Sequence, residues 1–141
     1  MKVYVVDDDR DVATTLQTML GRMGHDVTWF SNAEAFLAVA RDLAPGCVLL
    51  DLCLPKMDGL TLQRELLVHD PRHAVVLLSG YGDIPDAVSA MRAGALDFLR
   101  KPYRRSELLE SLDRAQARIG EWRDRQQRRQ QTDRLDLLST R

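Results

Sequence analysis

Five short, largely apolar runs, separated by segments with helical periodicity, constrain the fold of this chain more than any other feature. They cover residues 3–6, 27–30, 48–50, 75–78 and 96–99. Runs of this length are typical of strands buried on both faces, as in a parallel sheet that is covered by helices. We therefore predict an α/β fold with a doubly wound, five-stranded parallel sheet.

Helices are predicted between these strands and after the last one. Capping residues such as Asn32 and stop signals such as Gly24 and Gly94 bound them. The predicted helical segments are 9–23, 33–44, 60–67, 85–92 and a final helix from about Ser106 to about Gln131. Strands and helices thus alternate along the chain, as crossover connections between parallel strands require.

Four of the five predicted strands lead directly into charged or hydroxyl side chains. These residues are Asp7, Asp8, Asp51, Ser79 and Lys101. The carboxyl ends of parallel strands share one edge of a sheet, so we expect these side chains to meet there. Carboxylates suit Mg²⁺, with Mn²⁺ as a second option, while a hydroxyl and an ammonium group suit a phosphoryl group. The pattern predicts a metal and phosphoryl site in which Asp51 is the phosphoryl acceptor.

Each of these residues also has a simpler interpretation when it is taken alone. Asp7 and Asp8 would be solvated acids at a helix N-terminus, and Asp51 would cap a turn. Lys101, which precedes a proline, would be an exposed loop lysine. Four strand ends with complementary chemistry are harder to explain one by one, so their joint occurrence favours the phosphoryl site.

Charge divides the chain into two predicted parts. Residues 1–117 hold 13 basic and 17 acidic side chains, whereas residues 118–141 hold 7 basic and 4 acidic ones. We predict that 1–117 is a phosphoacceptor domain and that 118–141 is a helical linker. Acids and glutamines interleave with the arginines of the tail, which favours a solvated linker face over a nucleic-acid-binding one.

Composition and spacing argue against several other classes of protein. No apolar stretch approaches the roughly 20 residues that a membrane span needs, and no signal peptide is evident. Cys47 and Cys53 match neither a zinc ligand set nor a redox pair. We therefore expect a cytoplasmic protein that has reduced thiols and does not associate with membranes. His25, His69 and His73 are expected on the surface or in turns.

Several motifs together resemble the receiver domain of bacterial two-component response regulators. They are Val6-Asp7-Asp8, Asp51 followed by residues 54–59, Ser79-Gly80, Asp97-Phe98 and Lys101-Pro102-Tyr103. The resemblance covers roughly residues 2–117 and implies the strand order 2-1-3-4-5 of flavodoxin-like and CheY-like folds. It also implies a signalling module rather than an enzyme, apart from the module's own phosphotransfer and dephosphorylation.

The resemblance implies how the metal and the phosphoryl group would be bound. Asp51 matches the residue that accepts the phosphoryl group from a sensor histidine kinase, so we expect a cognate kinase as partner. Asp7, Asp8 and the backbone carbonyl of Cys53 match Mg²⁺ ligands, which Asp51 completes.

Other matched positions would respond to the phosphorylation or set the lifetime of the phosphoryl group. Ser79 and Lys101 match the residues that contact the phosphoryl group, and Phe98 matches an aromatic residue that changes rotamer when the hydroxyl moves. Cys53 and Tyr81 occupy variable positions that tune the lifetime of the phosphoryl group. We expect phosphorylation to shift the domain between an inactive and an active state.

The final helix carries apolar residues spaced by four and three, as in the seam of a coiled coil. These residues are Leu108, Leu112, Ala115, Ile119 and Trp122. The first two are expected to pack on the sheet, whereas Ile119 and Trp122 would lie beyond the domain and need a partner. We predict that Leu112, Ile119 and Trp122 belong to the linker of a phosphorylation-dependent homodimer.

The sequence leaves the output domain open between two subgroups. Residues 79–94 resemble both FixJ-type regulators, which carry a LuxR-type helix-turn-helix domain, and sigma-54-type activators, which carry an AAA+ ATPase. Residues 135–141 resemble the opening of a LuxR-type domain, so we expect DNA binding through a domain that lies outside this chain. A Mg²⁺-dependent phosphohydrolase with an aspartyl-phosphate intermediate is the alternative from the enzyme class.

Overall fold

The computed structural model describes most of the chain. The described residues are 1–52, 72–80, 88, 91–92 and 94–139, with side chains described up to residue 132. The third predicted helix and most of the fourth lie outside them, as do Cys53, His69 and Tyr81.

The described strands form a parallel sheet. Their bounds are β1 Lys2–Val6, β2 Asp26–Phe30, β3 Gly46–Asp51, β4 Ala74–Ser79 and β5 Asp97–Arg100. They pair in the order β2-β1-β3-β4-β5, which confirms the predicted fold class and strand order. The strand without a polar residue at its end, β2, lies at the edge, while β1, β3 and β4 are adjacent. The polar ends of these three strands therefore lie side by side.

The described helices flank the sheet. They are α1 Arg10–Arg22, α2 Ala33–Val39, the 3₁₀ turn Ala40–Asp42 and the C-terminal helix Arg105–Ser139. The Asp9 side chain caps α1 by accepting hydrogen bonds from the amides of Asp11 and Val12, and Asn32 caps α2. Gly24 follows α1 with a φ of 90°, which favours glycine. None of the helices in the described residues combines the length and the apolar character that crossing a membrane requires.

The central strands are buried along their whole length. Every residue of β3 and β4 is buried, because helices cover both faces of the sheet. Strand residues that pack toward α1 and the C-terminal helix include Val3, Val5, Leu49, Val76 and Leu78. Those that pack toward α2 include Tyr4, Val6, Val48, Leu50 and Leu77. Two cores therefore share one sheet, which explains why the strand sequences are continuously apolar.

The C-terminal helix packs on the sheet further along its length than expected. Ile119 is only 5% exposed and belongs to the same core cluster as Leu112. The prediction that Ile119 lies beyond the domain is therefore wrong, whereas Leu112 packs on the sheet as expected. The four-three spacing directs both side chains onto the sheet, as it would direct them onto a partner helix. Trp122, one turn further, is partly exposed.

Polar contacts fix the C-terminal helix against β5. Asp97 accepts a hydrogen bond from the Ser111 hydroxyl at 2.7 Å and is also bound by Arg114. One turn further, the guanidinium of Arg118 lies 3.5 Å from the carbonyl oxygen of Gly94. The register between helix and strand is thus set by polar side chains as well as by apolar packing.

His73 lies in the turn before β4, as expected, but it is buried rather than exposed, at 4%. Its Nδ1 accepts a hydrogen bond from the Gly46 amide at 3.2 Å, and its Nε2 lies 3.1 Å from the Ala40 carbonyl oxygen. Since a carbonyl only accepts, Nε2 is the donor in this contact. Tyr4 donates to the Ala44 carbonyl at 2.6 Å nearby. These bonds tie the starts of the central strands to the end of the α2 segment.

Replacing Gly46 by alanine is expected to destabilise the protein. An added Cβ would lie 2.6 Å from the Lys2 carbonyl oxygen and 2.8 Å from the Tyr4 ring, so β1 and β3 would have to shift. Overpacking of this kind costs about 1–3 kcal/mol in free energy of unfolding, which urea denaturation measures. Gly21→Ala on α1 is the matched control, because nothing lies within 4 Å of its added Cβ; its stability should rise by roughly 0.5–1 kcal/mol. Equal stability of Gly46→Ala and wild type would contradict this close packing.

Candidate functional site

Three carboxylates converge at the carboxyl edge of the sheet. One oxygen from each of Asp7, Asp8 and Asp51 lies within 4.8 Å of the other two. The parallel register causes this, because Val6 pairs with Leu50 and the next residue on each strand is an aspartate. Asp7 and Asp51 are 1% and 6% exposed, whereas Asp8 is exposed. Two buried acids and one exposed acid thus form a cluster that opens to solvent on one side.

Asp7 has one satisfied and one unsatisfied carboxylate oxygen. Its Oδ1 accepts a hydrogen bond from the Asp9 amide at 2.9 Å, whereas its buried Oδ2 accepts none from the residues that the structure describes. Burial raises the pKa of the Asp7 carboxyl above its ordinary value, and the nearby charge of Asp51 adds to the rise. The Asp9 amide and Lys101 oppose this effect. A further positive charge at Oδ2 would stabilise the ionised form.

Lys101 faces both buried carboxylates. Its Nζ lies 3.7 Å from Asp51 Oδ2 and 3.9 Å from Asp7 Oδ2, distances that exceed those of direct hydrogen bonds. The Lys101 amide donates to the Ser79 carbonyl at 2.7 Å, which holds the lysine loop against the end of β4. The Lys101-Pro102 peptide bond is cis. The ammonium group therefore acts on the two acids as a nearby charge.

Other predicted site residues that the structure describes lie on β4, on β5 and on the C-terminal helix. Ser79 is buried at the end of β4, one residue beyond the Leu78 that pairs with Asp51. Phe98 is partly buried on β5 and packs against the core cluster on the face of the sheet that α2 covers. Leu112 and Ile119 face the opposite core, so they are not part of this edge.

Cys47 takes no part in the site. It is buried on β3, and burial raises the pKa of its thiol to about 12. The thiol is therefore protonated and unreactive at neutral pH.

The donor set fits a divalent cation. Mg²⁺ prefers oxygen ligands and is usually held by one or two carboxylates together with waters and phosphate oxygens. The buried, unsatisfied Oδ2 of Asp7 beside the carboxylate of Asp51 is an arrangement that a cation would compensate. The residues present at this edge therefore match the expected Mg²⁺ or Mn²⁺ site in both chemistry and charge.

Within the part of the chain that the structure describes, Trp29 on β2 also contacts this edge, which the sequence pattern did not predict. Its indole Nε1 donates a hydrogen bond to the Asp7 carbonyl oxygen at 2.7 Å. The only sequence signal was a tryptophan next to the end of a strand that lacks a polar terminal residue. The position of Trp29 in the sequence does not indicate which backbone group its indole contacts.

Comparison with known proteins places these features in context. A family model described as response regulator receiver domain matches residues 3–113. Response regulator protein TmoT of Ectopseudomonas mendocina is 44% identical over 107 residues, which are 76% of this chain and 49% of that protein. Transcriptional regulatory protein TdiR of Thauera aromatica is 38% identical over 138 residues, 98% of this chain and 60% of that protein. The chain thus spans about half, or somewhat more, of these relatives.

A solved structure agrees with the fold. The crystal structure described as FixJ-N superposes with a TM-score of 0.76 at 39% sequence identity. The match covers 81% of this chain and 91% of that one. The similarity therefore extends over nearly the whole of that structure.

In metal-free buffer, Asp7→Asn is expected to stabilise the protein by about 1–2 kcal/mol at neutral pH, because it removes a buried charge that faces Asp51. The raised pKa of Asp7 gives the sign: its contribution to stability is fully present below the ordinary value of 3.8 and is lost as the pH rises through the folded-state pKa. In urea denaturation with EDTA from about pH 3.5 to about pH 7, the midpoint of Asp7→Asn should therefore exceed that of the wild type by a margin that grows as the pH rises. A constant difference across this range would contradict the assignment.

Proposed function

Because this chain belongs to the response regulator receiver family, we propose that Asp51 accepts a phosphoryl group from a sensor histidine kinase in a Mg²⁺-dependent reaction. The observation that carries this proposal is the position of Asp51, which lies beside the other two carboxylates and 3.7 Å from the Lys101 Nζ. A nucleophile, a cation site and a fixed positive charge are the groups that phosphoryl transfer needs. We expect the kinase and this protein to meet in the cytoplasm.

The proposed metal ligands are the carboxylates of Asp7, Asp8 and Asp51 with the backbone carbonyl of Cys53. When bound, the ion supplies positive charge that offsets the charge of the phosphoryl oxygens and of the attacking carboxylate. The unsatisfied Oδ2 of Asp7 supports its role as a ligand. Asp8 is the exposed member of the three carboxylates.

The transfer itself would use groups that already face each other. A carboxylate oxygen of Asp51 attacks phosphorus, and the phosphorus–nitrogen bond to the donor histidine breaks, so that the imidazole keeps the bonding electron pair. Lys101, whose Nζ lies 3.7 Å from Asp51 Oδ2, would pair with a phosphoryl oxygen of the product. The product is an aspartyl phosphate on Asp51.

The switch proposed for this domain runs through the ends of β4 and β5. The Ser79 hydroxyl would donate to the phosphoryl group, and Phe98 would change rotamer as Ser79 moves. Cys53 and Tyr81 would set how long the phosphoryl group persists. Moving a population from 1:99 to 99:1 needs about 5.5 kcal/mol of differential stabilisation, so several contacts must change together. Homodimerisation is the proposed consequence.

The proposed output is the regulation of transcription through a DNA-binding domain of LuxR type. The similarity to TdiR, a transcriptional regulatory protein, continues over 138 residues and so includes the linker. The resemblance of residues 135–141 to the opening of a LuxR-type domain supports the same output. A sigma-54-type AAA+ output remains the second option, and the sequence of the complete gene distinguishes the two.

The enzyme alternative, a Mg²⁺-dependent phosphohydrolase, has weaker support. Enzymes that use an aspartyl phosphate usually carry a second acid two residues after the nucleophile, and that position holds Cys53. The family of the chain consists of signalling proteins. Sustained multiple turnover of phosphoesters would be needed to favour the enzyme.

Incubation with MgCl₂ and acetyl phosphate is expected to add one phosphoryl group to the wild-type protein. Asp51→Asn should gain none, because a carboxamide is a poor nucleophile, and EDTA should suppress the reaction of the wild type. Intact-mass spectrometry measures the adduct. Asp26→Asn, an exposed acid on the edge strand, is the matched control and should react like the wild type. An equal adduct on Asp51→Asn would overturn the proposal.

Ser79→Ala is expected to separate phosphorylation from its consequence. The variant should still form the Asp51 adduct, but phosphorylation or beryllofluoride should promote its dimerisation at least tenfold less than in wild type. The reason is that a hydrogen bond to a charged group contributes about 1.5–3 kcal/mol. Size-exclusion chromatography with light scattering measures the dimer fraction, and Ser79→Thr, which keeps the hydroxyl, should recover part of the response. If Ser79→Ala dimerises on phosphorylation as strongly as the wild type, Ser79 is not part of the switch.

A further inference from the structure

The edge strand β2 contacts the acidic cluster through one side chain. Trp29 is the penultimate residue of β2 and pairs in register with Val5 of β1. Its ring is partly buried against the α1-side core, and its Nε1 donates to the Asp7 carbonyl oxygen at 2.7 Å. A strand that contributes no acid thus touches the backbone of a proposed metal ligand.

Hydrogen bonds hold the Asp7 residue at three points. Its amide donates to the Phe30 carbonyl at 3.1 Å, and its carbonyl accepts from Trp29. Its Oδ1 accepts from the Asp9 amide at 2.9 Å. The Oδ2 atom is left without a hydrogen bond from any described residue, and it is the atom that faces Lys101. The contacts around Asp7 therefore fix its backbone and leave one oxygen for a cation.

The indole bond also acts on the next acid. The carbonyl of Asp7 and the amide of Asp8 belong to one rigid peptide plane. On the other side of Asp8, the Asp9 amide is bound to the Asp7 carboxylate, and the Asp9 side chain caps α1. The backbone of Asp8 is thus fixed on both sides, and the hydrogen bond from Trp29 fixes its N-terminal side.

Such support matters because the acids repel one another before a cation arrives. Hydrogen bonds from outside the ligand set keep ligands in a binding geometry, and their loss typically weakens metal affinity 10–100-fold. Phenylalanine would fill much of the same space in the core but has no N–H to donate. The identity of residue 29 as tryptophan therefore matters through its indole nitrogen.

We propose that Trp29 is a positioning residue that orients the metal-binding acids Asp7 and Asp8 through its indole hydrogen bond to the Asp7 carbonyl. This inference rests on the proposed Mg²⁺ site. Trp29 itself would touch neither the metal nor the phosphoryl group.

The test compares Trp29→Phe with Trp122→Phe, which removes the other tryptophan, on the C-terminal helix. MgCl₂ titrations followed by the backbone amide resonances of ¹⁵N-labelled protein give the affinities without relying on tryptophan fluorescence. We expect Trp29→Phe to bind Mg²⁺ about tenfold more weakly than wild type, and Trp122→Phe to match the wild type. In the wild type, the indole N–H resonance of Trp29 should exchange slowly with solvent and shift when Mg²⁺ is added.

The outcomes separate this inference from the proposed function. If the wild type itself shows no Mg²⁺ binding, the proposed function fails. If the wild type binds and Trp29→Phe binds equally well, only the role of Trp29 is overturned. If Trp29→Phe does not fold, benzothienylalanine at position 29 in the Trp122→Phe background keeps the two-ring shape without the N–H, and equal affinity there overturns the inference. An indole resonance that exchanges rapidly and ignores Mg²⁺ in the wild type overturns it as well.

Discussion

The burial of the Asp7 carboxylate beside that of Asp51 is the constraint on which the rest of this site depends. Parallel pairing of β1 with β3 places Asp7 and Asp51 one residue beyond the paired positions Val6 and Leu50. The strand order therefore imposes the charge cluster, and burial raises the pKa of Asp7. Lys101 compensates only in part, because it lies 3.7 Å or more from both acids. Unbalanced negative charge favours the binding of a cation, whose charge the proposed phosphoryl transfer would need.

The buried strands of the sheet hold these charged side chains in position. Strands β3 and β4 are buried throughout, and His73 and Tyr4 tie their opposite ends to the segment after α2. The C-terminal helix is fixed to the start of β5 by contacts of Asp97 with Ser111 and Arg114. A displacement of β5 would therefore act on this helix, and the proposed coupling of the site to an output would use that contact.

The sequence predicted the features that depend on local pattern and missed those that depend on distant partners. Strand ends converge in any parallel sheet, so the positions of Asp7 and Asp51 followed from the apolar runs alone. The burial of His73 did not, because its partners lie 27 and 33 residues away. The contact of Trp29 with the Asp7 carbonyl depends on a side-chain rotamer, which no periodicity encodes. Ile119 was misplaced because a four-three spacing describes equally well a helix on a sheet and a helix in a coiled coil.

The burial of Ile119 changes what the linker can contribute to the proposed dimer. With Leu112 and Ile119 packed in the core, the part of the seam that follows them consists of Trp122, Gln126 and Arg129. Over residues 122–129 this seam offers a second helix one partly exposed aromatic residue and two polar positions, whereas a coiled coil needs a repeated apolar seam. Residues 122–129 alone are therefore a poor dimerisation element. Control of the proposed dimer would then rest with the receiver surface, where phosphorylation acts.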